Sequence, residues 1–289
     1  MTPIRIRVFN NFNSKIDFHN NLVTQDELQK DPEYNVKYSF THGNDYTHAI
    51  LLNTPMPPLS IPPSNVIGIS QEPYVFLGLS QRFINYAKKH VGKYYIGEKR
   101  NLPLPFVEKF GYKLHHMKLP ASLCYNKPRI MSIMVSSKQI TVGHRYRHLL
   151  IEGILRTKLP IDIYGNGCNN YKKYNDTRVK GGFDDPKVMF ESYQYHISIE
   201  NVQTPEYISE KIIEPLLCNT IPVYFGCTNI EKYFENMVIV LTGNVSSDLA
   251  TLQDICNSPE KYKKTIDMNV VKKNTSIKNV IENDFYSSL

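Results

Sequence analysis

Residues 192–227, SYQYHISIENVQTPEYISEKIIEPLLCNTIPVYFGC, limit the fold more than any other part of the chain. They read as strand, loop, helix, strand. Residues 195–199 are rich in β-formers, with Ile197 and Ile199 alternating against His196 and Ser198. The strand ends on Glu200 and Asn201, and a loop with Pro205 follows. Ser209 is a good helix cap and Glu210 suits a first turn. Ile212, Ile213, Leu216 and Leu217 then form one apolar stripe. Pro215 lies inside this helix, where it cannot donate to the Lys211 carbonyl and bends the axis. Residues 221–225 make a second short apolar strand, closed by Gly226.

This order carries chemistry. Ligands of open parallel sheets sit beyond the carboxyl ends of the strands, which is where Glu200 and Asn201 fall. The next helix opens with unpaired N–H groups and a positive dipole end, a setting for an anion. Lys211 adds a full positive charge to a turn where the dipole disfavours one. The residues alone leave two readings: an anion site, or a solvated surface lysine.

Length and charge set the bounds. The 289 residues suit one large or two medium domains. A hydrophobic share of 41% supplies ordinary cores, and a charged share of 21% argues against disorder. The formal charge of +7 would serve a diphosphate-linked donor, a nucleic acid or an acidic surface. The lysine pairs are dispersed, so most read as solvated basic surface. Cys124, Cys168, Cys218, Cys227 and Cys256 show no C-x-x-C spacing and imply no disulfide framework. Cys218, near the end of the apolar helix, reads as a packed thiol.

The rest of the chain alternates strand and helix, as an α/β layer requires. Residues 4–9, 35–40, 45–53 and 65–70 read as strands, and 24–31 as a short helix capped by Thr24. Glu72 follows the fourth of these strands, either as a solvated loop residue or as a functional acid. Residues 82–90 look helical and 93–98 strand-like. His115 and His116 lack a partner at metal-ligand spacing and read as surface or cleft residues. Residues 124–129 read as a polar linker.

A second unit starts with a strand in 130–137. A helix over 144–159 follows, with Leu149, Leu150, Ile154 and Leu155 at helical spacing and Arg145 and Arg147 at its start. Residues 161–165 form the next strand and 185–193 a helix. After Gly226, Thr228 caps a helix through 234, 237–243 form a strand, and 246–257 and the last thirty or so residues look helical and polar.

The opening stretch resembles the donor-binding motif of the α1,3-fucosyltransferases, glycosyltransferase family 10. That pattern is Y-x-F-x-L-x-F-E-N, a polar gap, Y-[IV]-T-E-K, an apolar helix and P-V-x-x-G. Here it stands as YQYHISIEN, VQTPE, YISEK, IIEPLLCNT and IPVYFG. Ile199 replaces a favoured Phe and Ser209 a Thr, so bulk and hydroxyl cap are kept. The resemblance covers the second unit well and the first thinly.

It implies an α/β fold of two Rossmann-like domains facing a cleft, the GT-B type. The expected division is 1–128 for the acceptor, 129–265 for the donor, and a helical tail, 266–289, returning to the first domain. The implied reaction is inverting transfer of L-fucose from GDP-L-fucose to a glycan hydroxyl, of α1,3 type. Glu72 would be the general base. The family arginine aligns best with Arg147, with Arg145 the alternative, and would hold the pyrophosphate with Lys211. Asn201 and Tyr207 would contact the nucleotide diphosphate, Glu210 the sugar or ribose, and Glu200 would shape the site. Without a D-x-D motif, no metal and no cofactor beyond the donor are expected. The expected partners are a nucleotide-sugar donor and a glycan acceptor, with no nucleic acid and no membrane span. The start MTPIRIRVFNNFN lacks a signal-peptide pattern, so a cytoplasmic or otherwise soluble protein is expected. The competing readings are a transferase for another nucleotide sugar and a non-catalytic glycan- or nucleic-acid-binding protein.

Overall fold

Among the described residues, short apolar runs build two sheets in which every pairing is parallel. The computed structural model describes residues 4–12, 20, 22, 38–115 and 125–286. The helix expected over 24–31 and His116 lie outside the described residues.

The first unit comprises Met1–Leu114, Pro205–Tyr207 and Lys272–Leu289. Its strands are β1 (Ile4–Asn10), β2 (Tyr38–Phe40), β3 (His48–Leu52), β4 (Val66–Ile69), β5 (Lys93–Ile96) and β6 (Phe106–Glu108), in the order β2-β1-β3-β4-β5-β6. The period of two divides β3 between two cores. Ile50 and Leu52 join Ile6, Ile67 and Ile69 on one face, and Ala49 and Leu51 join Val66, Phe83 and Ala87 on the other. Burial on both faces is the rule for all-parallel sheets. Phe83 and Ala87 come from the helix Gln81–His90, which Ser80 caps by accepting from the Phe83 N–H.

The C-terminal helices Met268–Thr275 and Ile277–Ile281 correct the sequence reading of a polar tail. Ile277, Val280, Ile281 and Phe285 are buried in the first core. Asp284, just before Phe285, accepts from Lys93 Nζ and Tyr95 Oη, each at 2.7 Å.

The second unit comprises His115–Thr204 and Ile208–Val271. Its strands are β7 (Arg129–Met134), β8 (Ile161–Tyr164), β9 (Val179–Gly181), β10 (Tyr193–Ile199), β11 (Ile221–Phe225) and β12 (Ile239–Val240). Their order is β12-β11-β10-β7-β8-β9. Numbered from β7 this is 3-2-1-4-5-6, the doubly wound order whose direction switches between its first and fourth strands. That switch point lies between β7 and β10, which pair directly.

Several segments differ from the sequence reading. Residues 185–193 hold one short 3₁₀ turn, Pro186–Met189, before β10 begins at Tyr193. Asn229, not Thr228, precedes a single turn, Ile230–Lys232. The helix after β7 runs Val142–Leu155, and Leu149 in its expected apolar stripe is 54% exposed. His115, read as a surface or cleft residue, is buried and so is not on the surface. Lys127, read as part of a polar linker, is anchored. Its ammonium donates to the carbonyls of Phe190, Glu191 and Cys218 and to Thr220 Oγ1 at 2.8–3.1 Å.

The proline inside the helix Glu210–Leu217 is compensated from the neighbouring strand. Pro215 has no N–H for the Lys211 carbonyl, and Ser198 Oγ donates to that oxygen instead at 2.7 Å. Ser198 was expected on a polar face and is 1% exposed. Ser198→Ala strands a buried carbonyl and should cost about 1–3 kcal/mol. Denaturant unfolding of the purified variant checks this, and an unchanged midpoint would remove the hydroxyl from the account.

Candidate functional site

In the second unit, the carboxyl end of β10 gathers the expected residues. Glu200 is fully buried. Its N–H donates to the Phe225 carbonyl at 2.8 Å, which seats it on β11. Its carboxylate accepts from the Ser209 N–H at 2.9 Å and from Ser209 Oγ at 2.6 Å. The Ser209 hydroxyl in turn accepts from the Lys211 N–H and caps the helix. One buried acid therefore fixes where the helix after β10 begins. Burial pushes the Glu200 carboxyl upward, opposed by the Lys211 ammonium 3.9 Å away and by the Ser209 donors.

Two glycines make room for this acid. A Cβ on Gly143 would overlap the Glu200 carbonyl oxygen and stand 2.8 Å from the Asn201 carbonyl oxygen. One on Gly226 would overlap the Glu200 side chain and lie 2.5 Å from Tyr224 Oη. The Gly143 N–H donates to the Asn201 carbonyl at 3.1 Å, so the start of the helix after β7 is pinned to the end of β10.

Lys211 is no solvated surface residue: its side chain is 13% exposed. Its ammonium lies 2.7 Å from Glu210 Oε1. Burial alone would lower the Lys211 titration, but Glu210 and Glu200 outweigh it and hold the ammonium charged. Arg147 is also buried and donates to the carbonyl of Ile199, the last residue of β10. Arg147, Glu210 and Lys211 line one small pocket with His196, Ser198 and Glu214. Arg145 is exposed and turns back on the carbonyls of Gln139 and Ile140.

Beneath Arg147, His196 is neutral. Ser132 Oγ donates its hydrogen to the Met189 carbonyl at 2.5 Å, so it accepts from His196 Nδ1–H at 2.8 Å. Burial and the Arg147 charge push this ring down to about 3. The sequence reading missed His144 and Lys138, which lie in the same cationic neighbourhood. Basic residues in 138–148 were a usable signal, masked by the spread of lysines along the chain.

In the first unit, Glu72 follows β4 and is half-buried. Its neighbour Gln71 is clamped. The Gln71 N–H donates to Asn53 Oδ1 at 2.7 Å, its amide donates to the Tyr112 carbonyl at 2.9 Å, and its amide oxygen accepts from the Leu114 N–H at 2.9 Å. Lys113 Nζ donates to the Gln71 carbonyl. Pro73 on the other side opens the turn Tyr74–Leu77. The Glu72 backbone is thus held firmly at a sheet's carboxyl end. Tyr207 is buried in this unit too, against the face of Gly97 that lacks a Cβ. Its neighbour Glu206 accepts from the Phe110 N–H at 2.9 Å.

Two Rossmann-like α/β units, each built on an all-parallel sheet, give the chain the GT-B type of fold. Comparison with known proteins agrees. Residues 124–265 match the model of glycosyltransferase family 10 (fucosyltransferase), C-term, and this stretch of the chain belongs to that family. It is 33% identical over 87 residues to alpha-(1,3)-fucosyltransferase B of Drosophila melanogaster, covering 28% of this chain and 19% of that one. It is 29% identical over 98 residues to GDP-fucose protein O-fucosyltransferase 3 of Xenopus tropicalis, covering 32% and 21%. The chain thus spans about a fifth of the length of these curated relatives. A crystal structure of an alpha1,3-fucosyltransferase with GDP-fucose superposes with a TM-score of 0.55 at 14% identity, covering 99% of this chain and 90% of that one. No helix among the described residues is long and apolar enough to cross a membrane.

Proposed function

We propose that the protein transfers L-fucose from GDP-L-fucose to a hydroxyl of a glycan acceptor with inversion, forming an α1,3-type linkage. The observation that carries this is the pocket at the second unit's switch point, where Arg147 and Lys211 share a buried setting with Glu210. Buried cations at a helix N-terminus suit a diphosphate. In the reaction the acceptor oxygen bonds to the anomeric carbon as the bond to the β-phosphate oxygen breaks, and GDP departs. Lys211, Arg147 and the helix dipole stabilise charge growing on that leaving group. Glu72 takes the acceptor's proton. Asn201 and Tyr207 contact the nucleotide diphosphate, Glu210 the sugar or ribose, and Glu200 holds the helix start. The cations take the charge-neutralising role that a divalent ion fills elsewhere, so no metal or further cofactor is required.

Calorimetry with GDP, UDP and several GDP-sugars tests the donor. GDP and GDP-fucose should bind well above the rest, and preference for UDP would move the assignment to another nucleotide sugar. Lys211→Ala should weaken GDP binding about 10- to 100-fold, the worth of a hydrogen bond to a charged group. Unchanged affinity in a folded variant would take Lys211 out of the phosphate site.

A further inference from the structure

We propose that His144 is a positioning residue of the donor site, one that takes up a proton as the diphosphate binds, with Thr141 serving it in both charge states. This rests on the donor reading above. His144 is the third residue of the helix Val142–Leu155 and is buried. Its Nδ1 accepts from the Thr141 N–H at 3.3 Å and lies 2.6 Å from Thr141 Oγ1. The His144 N–H donates back to that hydroxyl at 3.4 Å, completing a capping box. An Nδ1 that accepts from a main-chain N–H is bare, so the neutral ring carries its hydrogen on Nε2. The Thr141 hydroxyl can donate to the bare Nδ1, or turn and accept from a protonated one. The Thr141 hydroxyl therefore serves either state of the ring, while the bond from the Thr141 N–H is made only to the neutral one.

Burial and the charges around the ring decide which state is held. Lys138 faces it from the loop after β7, Arg147 and His148 from its own helix, and Lys211 from the helix after β10. Burial and these groups push His144 down to about 4. The carboxylates nearby, Glu200 and Glu210, face Lys211 at 3.9 and 2.7 Å. A donor diphosphate held by Arg147 and Lys211 brings two negative charges into the same cluster and reverses the field at the ring. A further cation then arises only when there is an anion to receive it, and the unliganded site is spared the repulsion.

The sign follows from linkage. The free ring binds a proton only near pH 4, and the donor-bound ring binds one at higher pH. Affinity for the donor must then rise as pH falls from neutral and level off below the free ring's value. GDP-fucose is the right probe, because its diphosphate is esterified at both ends and does not titrate in this range. Calorimetry in buffers of different ionisation enthalpy at pH 5.5 should show net proton uptake. Binding should be about tenfold tighter at pH 5 than at pH 7, the result of an upward move of about two units in the ring's titration on binding. His144→Asn keeps an acceptor for the cap and cannot take a proton. It should keep its thermal midpoint and lose both the uptake and the pH slope.

The imidazole nitrogen resonances of the wild-type protein give a second measurement that does not depend on the variant. They should show the Nε2–H tautomer in the free protein and an upward move of the titration with GDP-fucose. Uptake that persists in His144→Asn, or a ring already charged at pH 7 in the free protein, overturns the proposal. If GDP-fucose binds and the ring does not respond, the proposal falls and the donor reading stands. If GDP-fucose fails to bind and UDP-glucose or methylene diphosphonate shifts the ring, the donor reading falls and the proposal stands. A ring that responds to none of these ligands overturns it outright.

Discussion

Glu72→Gln should lower the transfer rate about 100- to 10,000-fold, the usual worth of a general base, and leave GDP affinity unchanged. The substitution keeps the size of the side chain and removes its ability to accept a proton. The backbone around it has no reason to move. Gln71 is fixed by Asn53, Tyr112 and Leu114, and Pro73 sets the chain direction on the other side. Radiolabelled fucose transfer beside calorimetric GDP titration separates the two effects. Near-normal turnover would eliminate Glu72 as the base, and would reopen the search among other acids of the first unit. Loss of GDP affinity together with activity would instead show a structural role.

The second large effect is expected at a residue that touches no substrate. Gly143→Ala should destabilise the second unit by about 3 kcal/mol, the upper end of the overpacking range. Both atoms that the new methyl would meet most closely, the Glu200 and Asn201 carbonyl oxygens, are backbone and cannot swing aside. The helix start must back away from β10, which breaks the Gly143 N–H bond to Asn201 and shifts the helix that carries Arg147. GDP affinity should fall with stability. Val142→Ala, one residue away and 63% exposed, should stay within about 0.5 kcal/mol of the parent. Denaturant unfolding of both variants checks the contrast. Equal midpoints would mean that this close approach does not govern the site.

These expectations rest unevenly on the sequence. The strand, cap and helix of 192–217 were legible because each has a local cause: β-branched alternation, a serine before an acidic first turn, and apolar residues at helical spacing. The disruptive proline was legible too, but its compensation by Ser198 was not, since that contact joins residues thirteen positions apart. Alternation also misled. His196 and Ser198 looked like a solvent face, yet β10 lies inside a sheet covered on both sides, and both residues are buried. Leu149 shows the converse error, an apolar residue at helical spacing that faces out. Between Arg145 and Arg147 the helix spacing could not choose. The fold tells their surroundings apart, burying Arg147 against the Ile199 carbonyl and leaving Arg145 on the surface.

By itself the sequence determined the alternation of strands and helices, the parallel α/β class, and the placing of Glu200, Asn201, Glu210 and Lys211 around one strand-to-helix turn. These are consequences of neighbours along the chain. The tertiary structure alone decided that Glu200 is a buried anchor, that Lys211 is paired and enclosed, that the C-terminal helices are core, and that His144 stands among cations. Burial and charge pairing are set by residues far apart in sequence that the parallel strand order draws together, and no local pattern records which of them will meet.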